Sequence, residues 1–476
     1  MKNDRSENIS NANSSRRRFL KTLGTTTAGL VVLPFLKPSG VLAYRHKALS
    51  SYLARVAITQ TLNTPADSYD PASVKAKVQY LFDILGGIAD VVKKGNKVAI
   101  KINLTGGSAN ATSPLLAGVP ITEAMWTHPA VLRAVGELLI DAGVNGSDIY
   151  IVDALWDAAS FNNFGYADVQ KALGATLVDL NSASPYSTFI TRNVGGTPFN
   201  FQSFSMNQIL SDVDVYVSIP KLKHHAEAGL TCSLKNQVGA VPKQLYTITT
   251  NTSRRQKLHN PTGGSSASYL PESICDLNAA RPVNLAVVDG IKNAKGGEGV
   301  WNPTFQLYQS HVLFAGKDPV ATDSIGAHLM GLNCEATSLP LPGGGTCDNY
   351  LNLLHKNGVG TNQLNEIEIL GDGAGLITSV RPGNTIRQPG GFQLSPNFPN
   401  PFNPSTRIIF YVPTAEHVSI RVFTITGGHI ETLVEGDVPA GEHDLNWDAT
   451  GLASGVYICR MQAGAFSQTI KMVYQK

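Results

Sequence analysis

The chain has 476 residues, of which 42% are hydrophobic and only 15% are charged. That length predicts two or three folding units with ample material for their cores. A net charge of +3, from 38 basic and 35 acidic residues, argues against nucleic acid or an acidic membrane surface as a general partner.

The N-terminus carries the pattern of an export signal. Residues 15–21 read S-R-R-R-F-L-K, a moderately apolar run covers residues 23–36, and small residues follow at 41–43. The run is shorter than the roughly 20 apolar residues that a membrane span needs. The segment resembles a twin-arginine signal peptide, which implies the twin-arginine translocase as a partner and a folded protein in transit through the periplasm. We therefore expect residues 1–43 to be a signal peptide, and the mature protein to have no membrane span.

Helical and strand patterns alternate along the chain from residue 74 onwards. The predicted helices cover residues 74–94, 129–142, 166–173 and 322–330. The predicted strands cover residues 97–102, 148–152, 176–179, 213–219, 283–288 and 312–315. Short β-branched runs between helices are typical of the α/β class, in which helices cover a mostly parallel sheet.

Basic and imidazole side chains cluster directly after the predicted strand at 213–219. The group consists of Lys221, Lys223, His224 and His225, with Lys235 and Asn236 a little further along. We expect Pro220 to end the strand, because proline cannot donate to the sheet ladder. Cations held close together need a neutralising anion or metal unless they are solvated. The pattern therefore favours a binding site, and a solvated basic loop is the alternative.

Other polar residues stand just after predicted strands and are candidates for the same site. They are Asn103, Asp153, Asp289 and Asp318, each following an apolar run. The carboxyl ends of parallel strands meet at one edge of a sheet, where ligands of α/β proteins bind. Each of the four can also be an ordinary turn residue. His128 precedes Pro129 at a helix start, so it either reaches this edge or caps the helix.

The cysteine pattern narrows the range of cofactors. There are five cysteines, and no two of them form a C-x-x-C motif. An iron–sulfur cluster or a structural zinc site built on that motif is therefore not expected. Cys334 and Cys347 lie in one Gly/Pro-rich region and could form a disulfide in an exported protein.

Several motifs occur in a characteristic order between residues 55 and 333. They are K-I-N-L at 101–104, T-H-P at 127–129, P-K-L-K-H-H at 220–225, T-C-S-L-K-N-Q-V-G at 231–239, V-D-G-I at 288–291 and D-P-V-A-T-D at 318–323. Together they resemble the family called domain of unknown function 362, and we assign residues 44–380 to such a domain. Some relatives carry ferredoxin-type clusters, whose cysteines this chain lacks. Where relatives usually continue with M-E-G-N-G-P, residues 293–299 read N-A-K-G-G-E-G.

A second likeness concerns the same basic segment. Its H-x-x-x-G-x-T-x-x-x-K-N pattern is similar to the lysine-containing loop of lactate-racemase-like proteins.

The C-terminal part of the chain has a different pattern. Residues 381–391 form a Pro/Gly-rich linker, and residues 392–476 contain alternating strands that predict a small all-β immunoglobulin-like sandwich. P-N-P-F-N-P-S-T at 399–406, G-L-A-S-G-V-Y at 451–457 and the terminal K-M-V resemble the C-terminal sorting domain of type nine secretion, which is related to the sandwich of hook-capping proteins. The resemblance implies the type nine secretion machinery as a partner and a cell-surface or extracellular location.

Two functional hypotheses follow. In the first, the chain is a cofactor- or metal-dependent enzyme that binds a small carboxylate or phosphate through Lys221, Lys223 and Asn236, with Asn103 and His128 nearby. His224, His225 and Lys235 are its catalytic candidates, because imidazole titrates near neutral pH. Asp153, Asp289 and Asp318 would either bind a divalent metal or position the lysines. In the second hypothesis, a non-catalytic surface protein captures an anion at this site.

The export assignment is testable by changing the arginine pair. Replacing Arg16 and Arg17 by lysine should leave the precursor in the cytoplasm, because a guanidinium pair is recognised by its planar geometry and not by charge alone. Cell fractionation and immunoblotting measure the result. Normal export of the double-lysine variant would contradict the assignment.

Overall fold

The structure is a computed structural model that describes residues 53–110, 115–248, 255–262, 266–378, 392–394, 397 and 402–475. The predicted signal peptide and the predicted linker lie outside these residues. No helix in the described ranges is long and apolar enough to cross a membrane.

One large sheet organises the N-terminal part of the chain. Its strands are β1 (Ala54–Gln60), β2 (Val98–Ile102), β3 (Ile149–Asp153), β4 (Thr176–Asp179), β7 (Val215–Ile219), β8 (Lys221–His225), β9 (Gly229–Thr231), β10 (Leu285–Lys295), β11 (Gln306–Tyr308), β12 (Val312–Gly316) and β15 (Ile367–Leu370). The main strand order is β15-β1-β12-β10-β7-β2-β3-β4. Two short antiparallel pairs lie outside it, namely β5 (Ile190–Asn193) with β6 (Ser203–Met206) and β13 (Ser338–Pro340) with β14 (Thr346–Asp348).

Strand direction confirms the α/β prediction and sets the position of the site. The pairs β10–β7, β7–β2, β2–β3 and β3–β4 are all parallel, so the carboxyl ends of these strands share one edge of the sheet. Strand β12 runs antiparallel to both of its neighbours, β1 and β10. The carboxyl end of β12 therefore lies at the opposite edge.

Helices cover both faces of the sheet. The helices are α1 (Pro71–Ile84), α2 (Ile121–Met125), α3 (Pro129–Asp141), α4 (Ala159–Asn163), α5 (Tyr166–Leu173), α6 (Ile209–Asp212), α7 (Gln256–His259), α8 (Tyr269–Ala280), α9 (Pro319–Leu329), α10 (Tyr350–Lys356) and α11 (Gly375–Thr378). One core cluster lies between the sheet and α1, α3 and α5, and a second lies between the sheet and α8, α9 and α10. Neighbouring strand residues alternate between the clusters, as Ala99 and Ile100 do, because successive side chains of a strand point to opposite faces.

Helix α1 ends earlier than the sequence pattern predicts. The prediction continued it to residue 94, but the helix stops at Ile84. Gly86 and Gly87 follow with φ of +84° and +83°, left-handed values that glycine adopts without a steric penalty. The two glycines turn the chain out of the helix, so the apolar residues beyond them reach the core from a loop.

The C-terminal residues form two antiparallel sheets around a separate core. One sheet contains β16 (Gln393–Leu394), β17 (Ser405–Val412) and β20 (Gly441–Asp448); the other contains β18 (Glu416–Thr424), β19 (His429–Val438), β21 (Gly455–Ala463) and β22 (Phe466–Tyr474). Inward-facing residues of both sheets build this core around buried Trp447. The predicted all-β sandwich is therefore present.

The cysteine pairing considered from the sequence is not formed. Cys334 and Cys347 are both buried free thiols. The Cys334 Sγ instead donates to the carbonyl of Asn362 at 3.5 Å.

The separate cores lead to a truncation test. The sandwich core is drawn from residues 394–474, whereas both clusters of the large sheet are drawn from residues 56–377. Deleting residues 392–476 should therefore leave residues 44–381 with a single cooperative unfolding transition, measured by circular dichroism in urea, while stopping delivery to the cell surface. Loss of cooperative unfolding in the truncated protein would contradict this domain boundary.

Candidate functional site

The basic cluster after Pro220 is a buried strand and not a solvated loop. The proline interrupts the strand, and the chain then continues beside β10 as β8. Lys221 and Lys223 are both 0% exposed. Because side chains alternate along a strand, Lys221, Lys223 and His225 share one face, and Leu222 and His224 share the other. Strand β7 ends at Ile219, as expected from Pro220, but the basic-loop alternative is wrong because residues 221–225 form a second, largely buried strand.

Lys221 is fully committed to a hydrogen-bonded network. Its Nζ donates to Asp289 Oδ2 at 2.6 Å, to the Tyr69 hydroxyl at 2.8 Å and to the Lys292 carbonyl at 3.1 Å. Burial lowers the pKa of Lys221, and the charge of Asp289 opposes that effect. An ammonium group has three N–H donors. All three are used, so Lys221 has none left for a ligand.

His128 borders the same network as a neutral ring. Its Nδ1 accepts from the backbone N–H of Ala130 at 3.1 Å, and its ring stacks on Tyr69 with 3.7 Å between centroids. Burial, then the charges of Lys221 and Lys292, lower the pKa of His128 to about 3. The capping alternative raised from the sequence is therefore observed. His128 also lines a cavity of about 290 Å³ with Glu123, Trp126 and Phe164 among its other walls.

Lys101 and Asp153 form a second buried pair on the neighbouring strands. The Lys101 Nζ lies 2.9 Å from Asp153 Oδ1, 2.6 Å from the Ile102 carbonyl and 3.2 Å from Asn236 Oδ1. Burial lowers the pKa of Lys101 and raises that of Asp153, and in each case the partner's charge opposes the shift. The ammonium of Lys101 again uses its three donors. Asp153 is therefore the counter-ion of a lysine that the sequence analysis did not select.

Asn236 links this pair to the rest of the site. Its Oδ1 also accepts from Asn103 Nδ2 at 3.2 Å, and its own Nδ2 donates to the Lys101 carbonyl and to Ser218 Oγ. Every polar group of the Asn236 side chain is thus engaged within the protein. Its amide holds β2 and β7 to the segment that carries Lys235.

Lys223 and Lys235 differ from the two paired lysines. The Lys223 Nζ donates to the Met125 carbonyl at 2.5 Å, and no carboxylate of the described residues lies within ion-pair distance. The half-buried Lys235 ammonium makes no hydrogen bond or ion pair within the same ranges. Burial holds the pKa of Lys223 well below its usual value, and it lowers the pKa of Lys235 to about 8 against the opposing charges of Glu298 and Glu227.

His225 has a defined tautomer beside these lysines. Its Nδ1 accepts from the backbone N–H groups of Glu227 and Ala228 at 3.0 and 3.2 Å, so Nε2 carries the proton of the neutral ring. Burial, then Lys235, keeps the pKa of His225 well below its usual value. The protonated Nε2 lies 4.0 Å from Glu298 Oε2. His225 is therefore a hydrogen-bond donor in this arrangement and not a ready general base.

Glu298 is the carboxylate nearest to this group, and the sequence analysis did not select it. Its Oε2 accepts from the backbone N–H of Ala226 at 3.0 Å, and its Oε1 accepts from Trp301 Nε1 at 2.9 Å. Burial raises the pKa of Glu298, but His225 and these hydrogen bonds outweigh burial and hold the pKa well below its usual value. Its only sequence signal was the departure from the family pattern at residues 293–299.

Two buried polar atoms at this edge have no partner among the described residues. They are Asn103 Oδ1 and Thr231 Oγ1, in side chains that are 8% and 2% exposed. Thr231 lies opposite Lys223 in the β8–β9 pair, so the two side chains share a face. Buried polar atoms without partners cost free energy. Asn103 Oδ1 and Thr231 Oγ1 are therefore available for hydrogen bonds to a ligand at the edge where Lys223 and Lys235 lie.

Two predicted site residues lie elsewhere. Asp318 follows the antiparallel strand β12 and therefore lies at the opposite edge, where its Oδ1 caps α9 by accepting from Val320 and Ala321. His224 faces away from Lys223, and its Nε2 contacts the Met330 carbonyl at 3.3 Å. Placing these two in the site was wrong, because the sequence shows neither strand direction nor the continuation of the strand past Pro220.

The three aspartates do not form a metal site. Asp153 pairs with Lys101, Asp289 pairs with Lys221, and Asp318 is at the other edge. In the described ranges, no group of three or more His, Cys, Asp or Glu side chains could hold a metal ion. The proposed set of metal ligands is therefore wrong.

Gly239 gives a direct test of the Lys101–Asp153 pair. A Cβ at Gly239 would lie 2.7 Å from both Asp153 Oδ1 and Lys101 Nζ. Gly239→Ala should therefore separate the pair and lower the free energy of unfolding by about 3–5 kcal/mol, the cost of leaving a buried charge unpaired. Urea unfolding measures this change. Gly195→Ala is the control, since no atom lies within 4 Å of its Cβ; equal stability of the two variants would contradict the close contact.

Two family models match parts of the chain, and two known proteins are similar to it. Residues 98–328 match the family described as domain of unknown function (DUF362), and residues 397–475 match the secretion system C-terminal sorting domain. The thylakoid-associated protein sll1697 of Synechocystis sp. is 26% identical over 238 residues, which are 48% of this chain and 63% of that relative. The lactate racemase apoprotein of Thermoanaerobacterium thermosaccharolyticum aligns with a TM-score of 0.29 and 11% identity, over 56% of this chain and 54% of that one.

The C-terminal match indicates where the protein is located. The sorting domain indicates export to the cell surface or the extracellular space by type nine secretion. The chain spans less than two thirds of the curated relative that it matches. Residues 98–328 are therefore similar to the family described as domain of unknown function (DUF362), and residues 397–475 are similar to the secretion system C-terminal sorting domain.

Proposed function

We propose that the α/β domain of this exported protein binds a small carboxylate or phosphate at the carboxyl edge of its sheet, between Lys223, Lys235, His225 and Thr231. The observation that carries the proposal is the contrast among four lysines at this edge. Lys101 and Lys221 each have an aspartate and use every donor, whereas Lys223 and Lys235 have no carboxylate within ion-pair distance among the described residues.

The donors of this group suit an anion. When protonated, Lys223 has two N–H donors to spare and Lys235 has three, while His225 offers Nε2–H and Thr231 offers its hydroxyl. Charge-assisted hydrogen bonds to carboxylate or phosphate are the strong ones. A bound anion would also raise the pKa of both lysines, because an opposite charge stabilises the ammonium form. Binding is therefore accompanied by proton uptake at and above neutral pH.

The other polar side chains at this edge differ in whether they can contact the ligand. Asn103 Oδ1 accepts hydrogen bonds only, so it suits an O–H or N–H of the ligand and not its anionic end. Lys221, Asn236 and Asp289 use their hydrogen-bonding groups within the protein. They act as positioning residues that hold β8 and the segment after β9 in place.

We favour an enzyme over a passive binder because of Lys235. A pKa of about 8 lets its amine gain and lose a proton near neutral pH, as a general acid or base must. The competing function is capture of an anion at the cell surface without chemistry. Product formation from a bound anion distinguishes them, since a binder would show ligand-induced stabilisation and unchanged ligand.

Substituting Lys235 tests the binding proposal. Lys235→Ala should weaken binding of inorganic phosphate and acetate by about one to two decades, because one charge-assisted hydrogen bond contributes roughly 1.5–3 kcal/mol. Isothermal titration calorimetry measures the affinities, and Lys171→Ala, at an exposed position of α5, is the matched control. In the unaltered protein, affinity should fall as the pH rises through about 8, because Lys235 loses its proton there.

The pH profile separates a direct role from a structural one. In Lys235→Ala the fall in affinity near pH 8 should disappear, although any slower decline from Lys223 can persist. Equal affinity of the unaltered protein and Lys235→Ala at pH 7 would overturn the proposal. Binding in buffers with different ionisation enthalpies then reports the proton uptake.

A further inference from the structure

We propose that the anion recognised at this site carries a planar aromatic ring, which lies against the exposed face of Trp301. This inference rests on the proposed function and specifies the substrate class of the same site. The observation behind it is the connection of an exposed indole to the lysine group through Glu298.

Trp301 is exposed but held in one orientation. Its side chain is 41% exposed, and its Nε1–H donates to Glu298 Oε1 at 2.9 Å. A hydrogen bond at the edge of an indole fixes the plane of the ring. Gly299 covers one face, since a Cβ there would lie 2.4–2.7 Å from three atoms of the six-membered ring, so only the other face is left for stacking. Trp301 is therefore a rigid, partly uncovered aromatic surface, and a ligand ring would gain contact without ordering a mobile side chain.

Glu298 links that surface to the anion-binding group. One carboxylate oxygen holds Trp301, and the other accepts from Ala226 N–H and lies 4.0 Å from His225 Nε2. Both contacts involve the same carboxylate, so the indole is only one side chain away from the imidazole. The proposal therefore places the ring of the ligand on Trp301 and its anionic end at Lys235.

Trp156 supports the same surface from a second strand end. It follows β3 at the carboxyl edge, and its carbonyl accepts from Lys243 Nζ at 3.2 Å. Its ring centroid is 6.2 Å from that of Trp301, with 34° between the planes. That distance is near the upper limit for direct aromatic contact. The two indoles therefore form an open wedge whose surfaces are only partly covered by each other.

Gly107 allows Trp156 to occupy this position. A Cβ at Gly107 would lie 2.9 Å from the Trp156 Cβ and 2.3 Å from Asp157 Oδ2, and its φ of +66° is left-handed. The loops after β2 and β3 therefore pack closely at the rim of the site. Residues from these loops, from β8 and from the segment around Glu298 meet at one edge of the sheet.

The exposed face of Trp301 favours an aromatic ring on the ligand over a saturated one. Nucleic-acid bases of every kind stack on aromatic side chains, and such stacking changes affinity by about tenfold or more. An anion without a ring would leave Trp301 in water and gain nothing from it. A saturated ring of equal size buries similar apolar area but lacks the π contact, so it separates aromatic recognition from burial alone.

Three phosphate probes test this inference by titration calorimetry. The unaltered protein should bind phenyl phosphate about tenfold or more tightly than inorganic phosphate, with cyclohexyl phosphate in between. Trp301→Ala should remove the gain for phenyl phosphate and leave inorganic phosphate unchanged, while Trp301→Phe should retain part of the gain. Phe199→Ala is the matched control, because Phe199 is also 41% exposed and lies outside the site.

Acetate, benzoate and cyclohexanecarboxylate form a parallel set that distinguishes a carboxylate ligand from a phosphate ligand. Equal affinities for ring-bearing and ring-free anions, equal gains for the saturated ring, or unchanged phenyl phosphate and benzoate binding by Trp301→Ala would overturn the aromatic inference and leave anion binding intact. Absence of binding by both ring-free and aromatic anions would overturn the proposed function and this inference together. Far-UV circular dichroism confirms that each variant is folded.

Discussion

Burial of lysine ammonium groups at the carboxyl edge of the sheet is the constraint on which the site depends. Lys101 and Lys221 are 1% and 0% exposed, and each is stabilised by an aspartate of the neighbouring strand. A buried charge is tolerated only when it is paired and its donors are satisfied. These two pairs bring β2 to β3 and β8 to β10, and they use Asp153 and Asp289 fully.

The two ion pairs leave Lys223 and Lys235 without an aspartate partner in the part of the chain that the structure describes. Because both nearby aspartates are already used, buried Lys223 and half-buried Lys235 have no carboxylate of the described residues in ion-pair distance, and desolvation lowers the pKa of each. Glu298 provides the nearest negative charge, but it is held by Ala226 and Trp301. The site therefore combines reserve hydrogen-bond donors with an amine that titrates near neutral pH, which is the combination that anion binding and proton transfer require.

The sorting domain and the candidate site lie in different parts of the chain. The sorting domain has its own core around Trp447 and carries the secretion signal, whereas the buried lysines belong wholly to the large sheet. Function in the α/β domain therefore depends on strand ends and their loops. Glu298 and Trp301 lie in one of these loops, in the segment that departs from the pattern of the family.

The α/β class, the C-terminal sandwich and the basic cluster after β7 can all be predicted from the sequence, because hydrophobic periodicity and turn residues are local signals. The set of residues that share the site follows only from the tertiary structure. Asp318 lies outside the site because β12 runs antiparallel to its neighbours. Of the two candidate histidines, only His225 lies in the site, because side chains alternate along β8. Lys101 and Glu298 were found only in space, since ion pairing depends on distances between strands that are remote in sequence.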